Sequence, residues 1–255
     1  MSAPGRPVSA AALASTGAPR FDRLDALRGA AIVWMVLFHW AFSLNHFGYF
    51  ELRHNFHRDA LWTNQRVVIL STFLLCAGLG QAVALQAAQA WPRFWRRWGQ
   101  VVLAAALVSA GSALMFPRSW IFFGVLHGMA VMLVLARLAA PLGAWLWPLG
   151  AAALVLPRLL QLPGLSVPHW SWLGLVTHKP LTEDFVPVLP WLGVMLWGLA
   201  LGQWVLRRRP ALMTGTLPAP LQPLARIGRW PLTIYLLHQP LFIGALLLGQ
   251  RLGAW

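Results

Sequence analysis

The sequence predicts an all-α, polytopic membrane helix bundle of about seven transmembrane helices with its N-terminus inside, and three observations carry that prediction. Of the 255 residues, 58% are hydrophobic and only 10% are charged, and the mean hydropathy of +0.62 is far above that of an ordinary soluble domain. Several apolar runs reach the roughly 20 residues that a helix needs to cross the hydrocarbon core, without the alternation of a membrane barrel. Sixteen Trp are present, many of them beside Arg or Pro near the ends of those runs, where an amphipathic ring suits the membrane interface.

Taken in order, the chain opens with Met1 to Pro19, rich in Ala, Ser, Pro and Gly, which reads as a disordered cytoplasmic tail because it lacks the continuous apolar core of a signal peptide. Residues 20–255 read as a single membrane domain. Arg20, Arg23 and Arg28 form the basic edge of a first span at about 25–45. An outer segment, Asn45 to Asn64, carries His46, His54 and His57 and leads into a second span at about 65–89. Arg93, Arg96 and Arg97 then precede a third span at about 98–116, Arg118 separates it from a fourth at about 120–137, and Arg137 ends that one. A fifth span at about 142–161 leads to a second long outer segment, Leu162 to Pro187. The sixth span, at about 188–206, is followed by a Pro-punctuated basic linker, "RRRPALMTGTLPAPLQPLARIGRW", suited to anionic headgroups, and the seventh lies at about 230–249. With the N-terminus inside, thirteen of the twenty basic residues face the cytoplasm and seven face outward, as the positive-inside rule requires.

The formal charge of +14 does not signify nucleic-acid binding, because the arginines punctuate apolar runs and form no basic domain interleaved with stacking aromatics. Cys76 is the only cysteine, which excludes an internal disulfide and a cysteine-based metal site. No metal is expected, and the oligomeric state stays open.

Chemistry is sought where polar groups enter the membrane, since each needs a partner, a cavity or a function there. His39 in the first span, His127 in the fourth and His238 in the seventh meet that description. Any one of them could simply hydrogen-bond helix to helix, but three in a small bundle point to a polar interior site. On the first span, Asp25 and Arg28 are three apart. Arg28 and His39 are eleven apart, so they project within about 20° of one direction with about 16 Å of rise between them. One face thus presents an anion-binding group at the cytoplasmic edge and a base about two-thirds of the way across, or else an Arg28 that only anchors topology and pairs with Asp25. Neutral imidazole is the usual general base near pH 7, and burial favours the neutral form. No G-x-S-x-G elbow is present, so direct attack by an acceptor on a thioester is the simpler mechanism for acyl transfer.

The stretch "RFDRLDALRGAAIVWMVLFHWAFSLNHFG" (Arg20 to Gly48) resembles the opening of bacterial membrane proteins related to heparan-alpha-glucosaminide N-acetyltransferase. The resemblance continues through "TFLLCAGLG" (Thr72 to Gly80), "WIFFGVLHGMAV" (Trp120 to Val131), "DFVPVLPWLGVMLWGLALG" (Asp184 to Gly202) and "RIGRWPLTIYLLHQP" (Arg226 to Pro240). The more distant acyltransferase-three family is similar at both ends, and there the late first-helix histidine is regarded as catalytic, which by resemblance implies His39. Relatives commonly carry an acidic residue at the position of Ser43, so a carboxylate that orients His39 is missing here or supplied elsewhere. In the human member of the family the implicated histidine falls further along, in the first outer loop, at a register near Phe50. That register makes His46 and His54 the alternative catalytic candidates.

The expected function is therefore a multi-pass acyltransferase of the bacterial inner membrane. It would take an acyl group, expected to be acetyl from cytoplasmic acetyl-CoA, to an amine or hydroxyl of a sugar or glycolipid acceptor at the outer face. Arg28 would bind carrier phosphate, His39 would be the base, and His127 and His238 would polarise or position the acyl carbonyl or the acceptor. Asp184, at the outer mouth, would bind acceptor or would serve only as charge at a helix N-terminus. Two rivals stand beside this reading: a haem-binding electron carrier with axial imidazoles, and a non-catalytic transporter or lipid-export component whose histidines relay protons.

Overall fold

The computed structural model of the chain describes residues 21–49, 55–56, 58–214 and 217–253. The expected tail, Met1 to Pro19, and His54 lie outside the described residues. Seven long helices make the structure: α1 (Asp22–His46), α2 (Ala60–Gln86), α3 (Trp91–Met115), α4 (Val125–Ala139), α5 (Leu146–Leu159), α6 (Val188–Arg208) and α7 (Pro231–Arg251). Short helical turns at Pro168–Ser171, Ala211–Thr214 and Gln222–Ile227 lie in the connections.

Among the described residues, six helical stretches are long and apolar enough to cross a membrane, one fewer than the sequence predicts. The difference lies in the fourth, Val125–Leu159, an unbroken run of helical turns that reverses direction at Gly143. At Gly143 the backbone takes φ 56° and ψ −115°, a conformation open to glycine and strained for other residues, and α4 and α5 part there. Their contacts with α6 give their directions. Gly128 of α4 lies against Val186, just before α6, and Gln203 near the end of α6 donates to the Ala140 carbonyl at 2.9 Å, so α4 runs with α6. Gly150 and Leu154 of α5 meet Gly193, and the Trp197 indole donates to the Trp147 carbonyl at 3.0 Å, so α5 runs against it.

The remaining contacts extend this alternation. The Trp34 indole reaches the Gln65 side chain at 3.0 Å and Arg28 lies beside Gly80, which sets α1 against α2. The Trp98 indole donates to the Ala130 carbonyl at 2.9 Å, which sets α3 against α4. The chain thus passes along the bundle seven times between two ends. The basic end holds Arg28, Arg93, Arg96, Arg97, Arg137 and Arg207 to Arg209, and the loop end holds the segments 46–49, 58–59, 116–124 and 160–187.

Helix α6 is the centre. Half of its apolar window is buried, against 17% for α3 and for α7, and its Met195 and Leu199 are fully buried with Leu74, Met132 and Leu146. The outer faces carry large apolar side chains, such as Leu114 at 85% and Leu37 at 61% exposure, a pattern made for lipid contact. Between two apolar helices in lipid there is little hydrophobic drive, so packing depends on backbone approach through small residues. A Cβ at Gly78 of α2 would sit 2.2 Å from the Met195 carbonyl oxygen and 2.6 Å from the Leu199 nitrogen, and one at Gly198 would sit 2.5 Å from the Leu75 oxygen.

Two element boundaries depart from the hydropathy pattern. Helix α3 starts at Trp91, before its apolar run, because Pro92 suits the first helical turn and needs no partner for a missing N–H. Helix α4 starts at Val125, later than the span expected at 120, because 120–124 is drawn onto the neighbouring loop. There Val186 N–H donates to the Phe123 carbonyl at 3.1 Å, and Thr182 Oγ1 donates to the Trp120 carbonyl at 2.8 Å.

The packing around α6 yields a paired prediction. Gly78→Ala should lower the thermal midpoint of detergent-solubilised protein and its folded yield, because rigid backbone blocks the new methyl group. Gly99→Ala, with nothing within 4 Å of the new Cβ, should raise stability by about 0.5–1 kcal/mol through helix propensity. Equal midpoints in the two variants would show that α2 and α6 are not held by close backbone contact.

Candidate active site

The first and last helices form a seam. At its basic end the chain entering α7 presses on α1 so closely that a Cβ at Gly29 would lie 1.9 Å from the Leu224 oxygen and one at Gly228 would lie 1.8 Å from the Asp25 oxygen. Arg28 sits in this junction. Its Nη1 donates to Asp25 Oδ1 at 2.7 Å and to the Gly228 carbonyl at 3.3 Å, and the side chain remains 22% exposed. Arg229 pairs with Asp22 at 3.0 Å across the same junction. The pairing with Asp25 that the topology-anchor alternative for Arg28 requires is therefore present, and Arg28 also ties α1 to the chain entering α7.

Eleven residues further along α1, His39 faces α7 as Arg28 does. Its ring lies 5.0 Å from that of His238, centre to centre. Gln239 Nε2 meets His39 Nδ1 at 3.0 Å, while the Ser43 hydroxyl donates to Gln239 Oε1 at 3.2 Å. His238 turns Nδ1 back to its own helix and meets the carbonyls of Tyr235 at 2.8 Å and Ile234 at 3.1 Å. His238 is 6% exposed, and its Nε2 is buried without a hydrogen-bond partner among the described residues. Phe38 packs edge-on to His39, and Phe242 to His238. The result is a polar pair inside an otherwise apolar seam.

The third intramembrane histidine is differently placed. Because α4 begins at Val125, His127 lies in its first turn at the loop end. Gly124 N–H donates to its Nδ1 at 3.3 Å, and its Nε2 meets Ser109 Oγ at 3.0 Å, which in turn donates to the Ile121 carbonyl at 2.7 Å. Both ring nitrogens are engaged, and the ring fastens α3 to the start of α4. His127 also borders an apolar groove of about 530 Å³ between these helices, lined by Trp98, Ala105, Phe123 and Val134 among others. Tyr235 of α7 separates the two regions, since it packs on Met35 and Phe38 of α1 and on Ala104, Ala105 and Leu126 of α3 and α4.

Asp184 lies at the loop end, where its Oδ2 accepts from Val125 N–H at 2.7 Å and so caps α4. Burial pushes its carboxyl up from the usual range, while the Val125 N–H, the Lys179 and Arg66 charges and the Phe185 N–H favour the ionised form. Its neighbour Glu183 accepts a hydrogen bond from Ser119. His46 is exposed at the end of α1 among Phe42, Phe47 and Phe116. His54 lies outside the described residues.

Two residues of the site escaped the sequence reading. Gln239 is the partner of His39, and the signal for it was present, since it is an uncharged polar residue inside an apolar span. Tyr235 is the separator and supplies the carbonyl that holds His238. Arg137, read from the sequence as an inward-facing loop residue, is 7% exposed. It donates to the Gln89 carbonyl at 2.6 Å and lies over the rings of Trp91 and Phe94, so it locks the end of α4 to the α2–α3 connection and the start of α3 with cation–π support.

No curated protein and no solved structure matches the chain. Residues 20–240, which contain Arg28, His39, Asp184, His238 and Gln239, match the model described as "Heparan-alpha-glucosaminide N-acetyltransferase, catalytic", and the chain belongs to that family.

Proposed function

We propose that the protein is a membrane acyltransferase that takes acetyl from acetyl-CoA at the basic end and passes it to an amine or hydroxyl of a sugar-containing acceptor at the loop end. Membership in the family points to a membrane acetyltransferase. The observation that carries the finer reading is the α1–α7 seam. It holds a partly exposed guanidinium at one end, and a histidine pair, with His238 buried and His39 partly so, about 16 Å further along the helix. A long anionic carrier laid along the seam would place its phosphate on Arg28 and its thioester at the histidines. Asp184 and the loop around it are where an acceptor hydroxyl or amine would be met, and His127 would hold the opening of α4 beside it.

The basic end is proposed to face the cytoplasm, on the positive-inside rule, with the membrane being the bacterial inner membrane. The haem reading finds no support in the pair, because rings 5.0 Å apart leave no room for a porphyrin with an imidazole on each face. A transporter reading would use the same histidines without chemistry, and turnover of acetyl-CoA by reconstituted protein separates the two.

Three measurements test this reading. His39→Ala should insert and fold normally and lose roughly 10² to 10⁴ in acetyl transfer, the usual worth of a positioned acid or base; a variant as active as wild type would return His39 to packing. Arg28→Ala should raise KM for acetyl-CoA with little change in kcat, since a phosphate contact far from the reacting carbon serves ground and transition states alike, and Lys at position 28 should recover part of the affinity. Unchanged affinity would leave Arg28 as the clasp between α1 and α7 alone. For orientation, Lys179→Cys in intact cells should react with a membrane-impermeant thiol reagent and Arg96→Cys only after permeabilisation, with the buried Cys76 contributing little background. Labelling of both from the same side contradicts the seven-pass arrangement.

A further inference from the structure

We propose that the two histidines of the seam hold opposite roles, with His238 Nε2 accepting the proton of the incoming nucleophile and His39 Nε2–H donating to the acyl oxygen, and that Gln239 sets this division. The inference rests on the acyl-transfer reading above and assigns the parts within it.

The assignment follows from which atoms can donate. Carbonyl oxygens only accept, so the His238 Nδ1 that meets the Tyr235 and Ile234 carbonyls carries the ring proton when the ring is neutral. The lone pair is then on Nε2. That atom is buried and meets no partner. A buried acceptor inside an apolar seam is costly to leave unpaired, so its retention points to a donor that arrives with the substrate.

His39 has the reverse arrangement. The Ser43 hydroxyl donates to Gln239 Oε1, which turns the amide nitrogen of Gln239 towards His39 Nδ1. An amide nitrogen only donates, so Nδ1 of His39 is the accepting atom and the ring proton sits on Nε2. Rotating the Gln239 amide would offer its oxygen instead and would reverse the tautomer. In the observed orientation Ser43, 3% exposed, meets Oε1 and the amide nitrogen faces His39 Nδ1. Less than two turns of α7, residues 234 to 239, therefore fix both rings.

In the reaction, attack of the acceptor nitrogen or oxygen on the thioester carbon forms the new bond while its proton passes to His238 Nε2. The carbonyl π electrons move to the oxygen, where the His39 Nε2–H stabilises the developing charge. Collapse restores the carbonyl and breaks the C–S bond. The departing thiolate takes the proton from the His238 imidazolium, so that thiol and acylated acceptor leave and both rings return to their starting tautomers.

The test joins a spectroscopic and a kinetic reading on full-length protein in lipid bilayers. ¹⁵N-histidine solid-state NMR at neutral pH, assigned by subtraction with single His variants, should show an unprotonated Nε2 on His238 and a protonated Nε2 on His39. Gln239→Glu, whose carboxylate can only accept from Nδ1–H, should move the His39 proton off Nε2 and lower kcat with KM for acetyl-CoA little changed. With acetyl-CoA and glucosamine as probe substrates, His39→Gln keeps an N–H donor and should recover at least about tenfold of the activity that His39→Ala loses, whereas His238→Gln should lose about 10² or more. An unprotonated Nε2 on His39, or an inactive His39→Gln beside an active His238→Gln, overturns the assignment and leaves acyl transfer standing. If wild-type protein transfers no acetyl group, the acyltransferase reading fails, and these roles fail with it whatever tautomers the spectra show.

Discussion

Close backbone approach along α6 is the constraint on which the bundle depends. Lipid solvates the outward leucines as well as a neighbouring helix would, so apolar surface alone does not choose which helices meet. Contact without side chains in between does choose. Gly78 against Met195, Gly198 against Leu75 and Gly150 against Gly193 bring α2 and α5 to opposite directions of the same central helix. Helix α4 is then carried into place by the bend at Gly143, which returns the chain along α6 without a loop at the basic end. The positions of α1, α3 and α7 follow from these, since α1 packs on α2, and α3 packs on α4.

The seam between α1 and α7 is held in another way. Its basic end uses the tight junction at Gly29 and Gly228 with Arg28 bonded across it. Deeper in, where water cannot stand in for a missing partner, the link is Ser43, Gln239 and His39 in a chain of hydrogen bonds. Two helices far apart in sequence thereby gain a fixed rotation about their axes. A slip of one residue in α7 would carry Gln239 about 100° away from His39 and break the chain. The polar groups to which chemistry is assigned in the proposed function thus also set the register of the seam.

Much of the fold was legible because hydropathy and charge act locally. Apolar runs of membrane length and the arginines between them mark the long helices, and the Arg28 to His39 spacing places both on the face that meets α7. What was not legible depends on contacts between distant segments. The late start of α4 comes from Asp184, Thr182 and Val186, nearly sixty residues on, which hold 120–124 out of the helix. That shift moved His127 from mid-span, where the hydropathy pattern puts it, to a helix entrance. Arg137 follows the charge pattern of a solvated loop, yet the Trp91 and Phe94 rings and the Gln89 carbonyl bury it. The pairing of His39 with Gln239 is of the same kind, since residue type alone shows a polar group in a span but not the partner that meets it.

Satisfaction of hydrogen bonds separates the three intramembrane histidines more sharply than their depth does. His127 has a donor on Nδ1 and an acceptor beside Nε2, so its ring is complete within the protein, and its removal would first loosen the entrance of α4. His39 is anchored through Nδ1 by an amide that is itself anchored by Ser43. His238 is anchored through Nδ1 by its own helix and left open at Nε2. A histidine kept only for packing gains nothing from an open buried nitrogen, because a residue without that lone pair would fill the same space at lower cost. Within the seam, His238 is the ring that is both rigidly held and open at a buried nitrogen among the described residues, which is the observation on which the proposed role of its Nε2 rests.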